Sequence, residues 1–264
     1  MPSSGLPILL NPHWHRIPQL MHGFCGRRGG VSRGDFGELN LSFRVGDEPQ
    51  CVHENWRRVG AAVPGLRFIT MRQQHGLGIV HVDDNMFQPP DADALATRSV
   101  GVALCVLTAD CVPILLVAPE HGVIAAVHAG WRGTLLGVAQ QAVVQMHESF
   151  GIEPAALHAA LGPAIDGCCY EVERRITDEL EKRWGAMPEV TVCRGAKSQL
   201  DLRRANTAIL VASGVPPPHI AHVGPCTRCA ADEYFSYRGA GGRTGRQVSF
   251  IAWQNRLGKA GGVW

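Results

Sequence analysis

The residues of this chain best suited to chemistry are a thiol and an imidazole, each ending an apolar run: Cys111 in Ala109-Asp110-Cys111, and His128 in His128-Ala129-Gly130-Trp131-Arg132-Gly133. Side chains delivered from the ends of two buried segments suggest a catalytic centre more than a packing detail. His75, in Gln73-Gln74-His75-Gly76 just ahead of another apolar run, is a third candidate. Alone, a histidine beside a strand is more often structural than functional. Together, two imidazoles and one thiolate form a set that suits a three-ligand zinc with its fourth position open. An ion held this way acts as a Lewis acid or activates water. Without a metal, Cys111 and His128 read as a nucleophile and its base.

The elements that must position these residues alternate in period. Residues 77–82, 101–108, 112–117 and 123–128 carry the short apolar runs of strands. After Gly130 the spacing changes, and Trp131, Leu135, Val138, Ala142, Val143 and Met146 recur at helical intervals until Gly151. Strand, glycine turn and helix therefore follow one another through the His128 segment. The first N–H groups of such a helix favour a thiolate or a phosphate, and Arg132 adds a charge with bidentate geometry. Close glycine packing and local capping by Arg132 are the structural alternative. Farther on, 171–184 and 202–213 are expected helices, the second ended by Gly214 and Pro216-Pro217-Pro218, and 247–253 is the last expected strand. With no fixed-period repeat and no long linker, the pattern reads as one mixed α/β unit over 1–264, an α+β arrangement.

Composition bounds the function. A chain of 264 residues with 45% hydrophobic content buries a large core without disulfides. Net charge is +2 and 18% of residues are charged, so no basic stripe for nucleic acid is expected. Residues 101–118 are apolar, but Asp110 lies in their middle, where a charge costs roughly 2.5–3.5 kcal/mol on insertion scales. Two buried strands with a break, rather than a membrane span, follow. Met1-Pro2-Ser3-Ser4-Gly5 lacks the basic start and apolar core of a secretory signal, which points to the cytoplasm. Nine scattered cysteines in a reducing compartment do not suggest a disulfide framework, and most read as small core residues. Cys226-Thr227-Arg228-Cys229 has metal-type spacing, but no second pair at similar spacing follows it.

Further motifs run through nearly the whole chain: His22-Gly23-Phe24 with Arg27 and Gly29-Gly30-Val31-Ser32, Leu39-Asn40-Leu41, Gly46-Asp47, Gln73 with His75-Gly76, and Thr108-Ala109-Asp110-Cys111. Gly162-Pro163-Ala164-Ile165, Phe235-Ser236-Tyr237-Arg238 and Thr244-Gly245-Arg246 continue them. With the highly specific block from Ala126 to Gly133, they resemble the YfiH family of laccase-domain proteins, also described as purine nucleoside phosphorylases or polyphenol oxidases. The resemblance implies a layered sandwich with a mixed β-sheet flanked by helices. It implies zinc held by His75, Cys111 and His128, with copper the lesser alternative, and a pocket for a purine nucleoside. The implied reaction is phosphorolysis of adenosine, inosine and S-methyl-5'-thioadenosine, with adenosine deamination as a second activity.

The expected partners are thus a nucleoside and phosphate, with no nucleic acid and no membrane, and the chain acting as a monomer or homodimer. Arg27, Asn40, Arg238 and Arg246 are the candidate substrate contacts; turn formation and solvated surface are their structural alternatives. The usual zinc deaminase signature is absent, so Asp110 is the nearest candidate general acid for deamination, with a turn or cap role as its structural alternative. The chain departs from the family at Gly26, where threonine is usual, at Arg72, where an acid is common, and at Gly239, where a second arginine normally follows Tyr237-Arg238. The loop 239–243 is one residue longer, and Arg243 is the candidate replacement charge. Two other enzyme readings stand beside this one. One is a Cys/His hydrolase editing peptidoglycan precursors; the other is a copper polyphenol oxidase, which needs several imidazole-rich sites where the sequence offers His13-Trp14-His15. A zinc-stabilised binding module is the non-enzymatic reading.

Overall fold

The apolar runs become strands buried on both faces, and this dictates how the layers stack. The computed structural model describes residues 5–187 and 189–254; Met1 to Ser4, where a secretory start was sought, lie outside them. The first part of the chain forms β1 (Ile8–Leu9), β2 (Leu20–Cys25), α1 (Pro49–Ala62), β3 (Arg67–Ile69) and β4 (Ile79–His81). The middle forms β5 (Ala94–Thr97), β6 (Val102–Thr108), β7 (Val112–Ala118), β8 (Val123–Ala129), α2 (Trp131–Leu136), α3 (Val138–Phe150) and β9 (His158–Leu161). The last part forms β10 (Glu171–Glu173), α4 (Arg174–Trp184), β11 (Thr191–Arg194), β12 (Lys197–Leu200), α5 (Leu202–Ala212), β13 (Ile220–His222) and β14 (Gln247–Trp253).

Two mixed sheets result, where one was expected. Five strands run in the order β1-β2-β14-β6-β3, and six in the order β13-β9-β7-β8-β5-β4. A small third sheet, β10-β12-β11, stands apart from both. Between the large sheets, Leu104, Val106 and Ile251 meet Leu115, Val117, Ile124 and Ala126. The other face of β7 and β8, with Ile114, Leu116 and Val127, packs on Ala142 and Met146 of α3 and Ile209 of α5. On the far side, Val59 of α1 covers Ala103, Cys105 and Phe250 of the five-stranded sheet. The order of layers is helix, sheet, sheet, helix. Because β7 and β8 are buried at every position, their sequences read as continuous apolar runs instead of alternating ones.

Two expected helices differ from the structure. The helix after Gly130 is broken at Gly137, whose φ is 92°, into a six-residue α2 and α3. A Cβ at Gly137 would come within 2.7 Å of the Trp184 ring, which also donates to Leu135 O at 3.1 Å. Packing of a distant tryptophan thus overrides local periodicity, and the short α2 has little dipole to offer an anion. Its Arg132 is exposed and lies over the Trp131 ring. Residues 171–173 are a strand rather than the start of a helix, because they pair antiparallel with Lys197 to Gln199.

Candidate metal and substrate site

The chain changes sheets between β6 and β7, and the site is built at that crossing. Asp110 turns it with a φ of 92°, a conformation a non-glycine residue holds only when its surroundings fix it. Its carboxylate is fixed twice: Thr227 Oγ1 donates to Oδ1 at 2.7 Å, and the Arg238 backbone N–H donates to Oδ2 at 2.6 Å. With both oxygens accepting, Asp110 clamps the C-terminal loops to the crossing. This is the turn-holding role that stood beside the general-acid reading of Asp110. Cys111 follows at once, and His128 on β8 stands opposite Pro113 of β7.

His75 arrives from the loop ahead of β4 with a φ of 57°. Asp93, absent from the candidates drawn from sequence, holds that loop. Its Oδ1 accepts from the His75 N–H at 2.9 Å, and its Oδ2 from Gln74 N–H at 3.1 Å and Gly76 N–H at 2.7 Å. The same Oδ1 accepts from His128 Nδ1 at 2.9 Å. That bond assigns the His128 proton to Nδ1 and leaves Nε2 for the Cys111 side. Burial alone would lower the His128 pKa, but the Cys111 charge and the Asp93 bond outweigh it and lift the value to about 9. Burial, reinforced by the nearby His128, lowers that of His75. The one signal for Asp93 in the sequence is an acid placed directly before a buried strand.

The donor atoms of His75, Cys111 and His128 lie within 4.8 Å of one another, close enough to share one cation. Gly130 completes the cradle: a Cβ there would sit 2.8 Å from His75 Nδ1 and 2.9 Å from Cys111 Sγ. Two imidazoles and a thiolate match the ligand set of an open zinc site, and a histidine backed by a buried carboxylate is the usual outer support for such a ligand. The residues present therefore fit the metal that the family resemblance implies.

The same donors line a cavity of about 500 Å³, together with Trp131, Tyr170, Tyr237, Arg238 and Arg246. Arg238 lies over the Tyr170 ring at 4.9 Å, and Arg246 over the Tyr237 ring at 5.6 Å. The hydroxyl of Thr108, another lining residue, is buried and has no partner in the protein. Three expected contacts stand elsewhere. Arg27 donates to Gly37 O and Ala231 O, bracing two loops. Asn40 is fully buried; it bonds Ser42 O and Asp47, and accepts from the Arg246 N–H at 3.0 Å, so it acts behind Arg246. Arg243 pairs with Asp35 at 3.2 Å, away from the cavity. His13 and His15 are exposed and belong to no cluster of metal donors among the described residues.

A two-sheet α/β sandwich with an open His-Cys-His cradle beside a pair of arginines defines the class of protein. Residues 21–254 match the family model described as multi-copper polyphenol oxidoreductase laccase, and the chain belongs to that family of enzymes, the YfiH laccase-domain proteins. It is 39% identical to a purine nucleoside phosphorylase of Deinococcus radiodurans, covering 99% of this chain and 98% of that one. It is 34% identical to adenosine deaminase RL5 from an unknown prokaryotic organism, over 86% of this chain and 92% of the other. Among solved structures, Bacillus licheniformis YfiH superposes with a TM-score of 0.87 at 30% identity, covering 93% of this chain and 96% of that chain.

Proposed function

We propose that the chain is a zinc-dependent purine nucleoside phosphorylase acting on adenosine, inosine and S-methyl-5'-thioadenosine, with adenosine deamination as a second activity. One observation carries this: a single cavity of about 500 Å³ brings together a His-Cys-His donor set, two arginines and several aromatic faces. That volume suits a nucleoside with an anion beside it. The names borne by the relatives from Deinococcus radiodurans and the unknown prokaryote support the same reading.

His75, Cys111 and His128 would hold the zinc, which when bound supplies a Lewis acid next to the substrate. Arg238 and Arg246 meet the phosphate, since planar guanidinium groups match its oxygens in pairs. Tyr170, Tyr237 and Trp131 offer rings against which a purine stacks. The unpartnered Thr108 hydroxyl donates to the bound nucleoside. In phosphorolysis a phosphate oxygen bonds to ribose C1' while the C1'–N9 bond breaks. The electron pair leaves with the purine, which takes up a proton. The contribution of this chain is to hold the two reactants in line and to oppose the phosphate charge with its arginines. In deamination, water adds at the amino-bearing purine carbon and ammonia departs.

Zinc suits the donors better than multi-copper redox chemistry does. Among the described residues, the clusters able to share an ion are this one and an all-cysteine one, whereas phenol oxidation by copper calls for several imidazole-rich sites. We place the reaction in the reducing cytoplasm, in keeping with nine cysteines that form no disulfide. No helix among the described residues is long and apolar enough to cross a membrane. Incubation of purified protein with inosine and phosphate is expected to release hypoxanthine and ribose 1-phosphate. Copper in excess of zinc with phenol oxidation and no nucleoside consumed would overturn the proposal. Hydrolytic activity that survives chelation but is lost in Cys111→Ala would replace it with the Cys/His hydrolase.

A further inference from the structure

Four cysteines converge on the flank of the cavity, although the sequence separates them into two unlike pairs. Cys168 and Cys169 are adjacent in the loop between β9 and β10, and Cys226 and Cys229 lie in the turn after β13. No second pair follows Cys226-Thr227-Arg228-Cys229; the second pair precedes it, and its spacing is that of neighbours. In the fold all four sulfur atoms lie within 4.8 Å of one another. Cys229 Sγ is 3.7 Å from Cys168 Sγ and 3.4 Å from Cys169 Sγ. For a tetrahedral zinc with bonds of about 2.3 Å to sulfur, the sulfur atoms stand about 3.8 Å apart. The cluster therefore already has nearly the dimensions of a closed four-thiolate site.

The surrounding backbone is arranged for charged sulfur. The Asp166 N–H donates to Cys226 Sγ at 3.4 Å. Such a donor favours a thiolate over a thiol. The guanidinium of Arg228 donates to Cys169 O at 3.1 Å and so brings a cation beside the cluster. Both loops are otherwise anchored: Thr227 N–H donates to Ala164 O at 2.9 Å, and Arg203 bonds Asp166 Oδ1 at 2.7 Å.

We propose that Cys168, Cys169, Cys226 and Cys229 bind one zinc ion as a closed structural site, distinct from the His75-Cys111-His128 cradle, that staples together two loops of the cavity wall. Tyr170 directly follows Cys169, and Thr227, between the paired cysteines, donates to Asp110, which in turn holds Arg238. Binding forms four metal–sulfur bonds as the thiol protons pass to solvent. With every coordination position filled by sulfur, this ion has no open corner for substrate, so its function is to fix the loops.

The test is a metal count with a spectroscopic arm, independent of any nucleoside assay. Chain produced with ample zinc and purified without chelator is expected to hold two zinc ions. The variant Cys168→Ser/Cys229→Ser, altered at two exposed positions, is expected to lose one and keep the other. A count that this variant leaves unchanged overturns the proposal, as does purified wild-type protein whose four cysteines are found paired as disulfides by mass spectrometry. The cobalt-loaded Cys111→Ala variant keeps the reading sharp should the serine variant fail to fold. It has no thiolate left in the cradle, so intense sulfur-to-cobalt charge-transfer absorption must come from the four cysteines, and its absence overturns the site.

Discussion

Replacing Asp93 by asparagine tests whether one buried carboxylate sets the cradle. Four donors converge on its two oxygens: His128 Nδ1 and the His75 N–H on Oδ1, and the Gln74 and Gly76 N–H groups on Oδ2. Asparagine offers one oxygen. If that oxygen replaces Oδ2, the amide N–H2 faces His128 Nδ1, which must then accept, and the ring proton moves to Nε2 where a metal would bind. If it replaces Oδ1, the amide opposes two backbone N–H groups and loosens the turn that carries His75. Either orientation strands at least two buried donors, at about 1–3 kcal/mol each. A total near 4 kcal/mol corresponds to a Tm lower by roughly 10 °C in a chain of this size. Metal affinity is expected to fall about 10–100-fold, the usual consequence of losing an outer carboxylate. Competition with a chromophoric chelator measures the affinity, and calorimetry the Tm. An Asp93→Asn protein that binds zinc and melts as the wild type does would refute the reasoning.

Gly130 has φ −78° and ψ 176°, which alanine adopts freely, yet its Cβ would intrude on His75 and Cys111. Gly130→Ala should therefore keep the wild-type circular dichroism spectrum and lose most of its cradle metal; full occupancy would show that the cradle has room to spare. Arg246→Ala removes a charged contact of about 1.5–3 kcal/mol, so KM for phosphate should rise about 10–100-fold with a smaller change for the nucleoside, and an unchanged phosphate KM would free Arg246 of this role. Asp110→Asn should raise the phosphate KM through a displaced Arg238 while zinc content holds; a loss of kcat alone, with an altered acid limb in the pH profile, would return Asp110 to proton transfer. His22 is buried on β2, and burial pushes its pKa down to about 4 from an unfolded value near 6.5. Between those values the unfolded chain takes up a proton that the native state refuses, so stability should fall by about 3 kcal/mol as pH drops from about 6.5 to 4. Urea unfolding at steps of pH should show this slope, reduced in His22→Gln; an identical slope in the variant would assign it to other groups.

The strands nearest the site were legible because they are buried on both faces. β7, β8 and β14 match their expected bounds to within a residue, and Cys111 and His128 stand at the ends of apolar runs, with His75 ahead of another. Features set by partners distant in sequence were not legible. The five-stranded sheet inserts β14 between β2 and β6, a pairing that no local pattern encodes. α1 buries only Val52, Asn55 and Val59 along its length, so its apolar stripe is thin, and Pro49 at its first turn was the remaining clue. Arg27 and Asn40 sit in glycine-rich segments as ligand contacts often do, but there the polar side chains satisfy the backbone of the loops themselves. The cysteine cluster was half legible: Cys226 and Cys229 have metal-type spacing, but the fold joins them to the adjacent Cys168 and Cys169, a pair of unlike spacing that lies earlier in the chain.

Three carboxylates around the site share a single kind of duty. Asp93 ties the His75 loop to β8, Asp110 ties the sheet crossing to the loops of Thr227 and Arg238, and Asp166 ties the cysteine-bearing loop to Arg203 of α5. Each has both oxygens engaged by donors from other segments, so protonating any one of them would strand at least one of those donors. All three acids therefore hold segments of the chain in position. Under the proposed function, opposing the phosphate charge falls to Arg238 and Arg246, and binding the metal to His75, Cys111 and His128, whose donor atoms lie within 4.8 Å of one another. The crossing between two sheets is where these duties can meet, because there a turn with positive φ, held by Asp110, brings residues of both layers and of the C-terminal loops to one cavity.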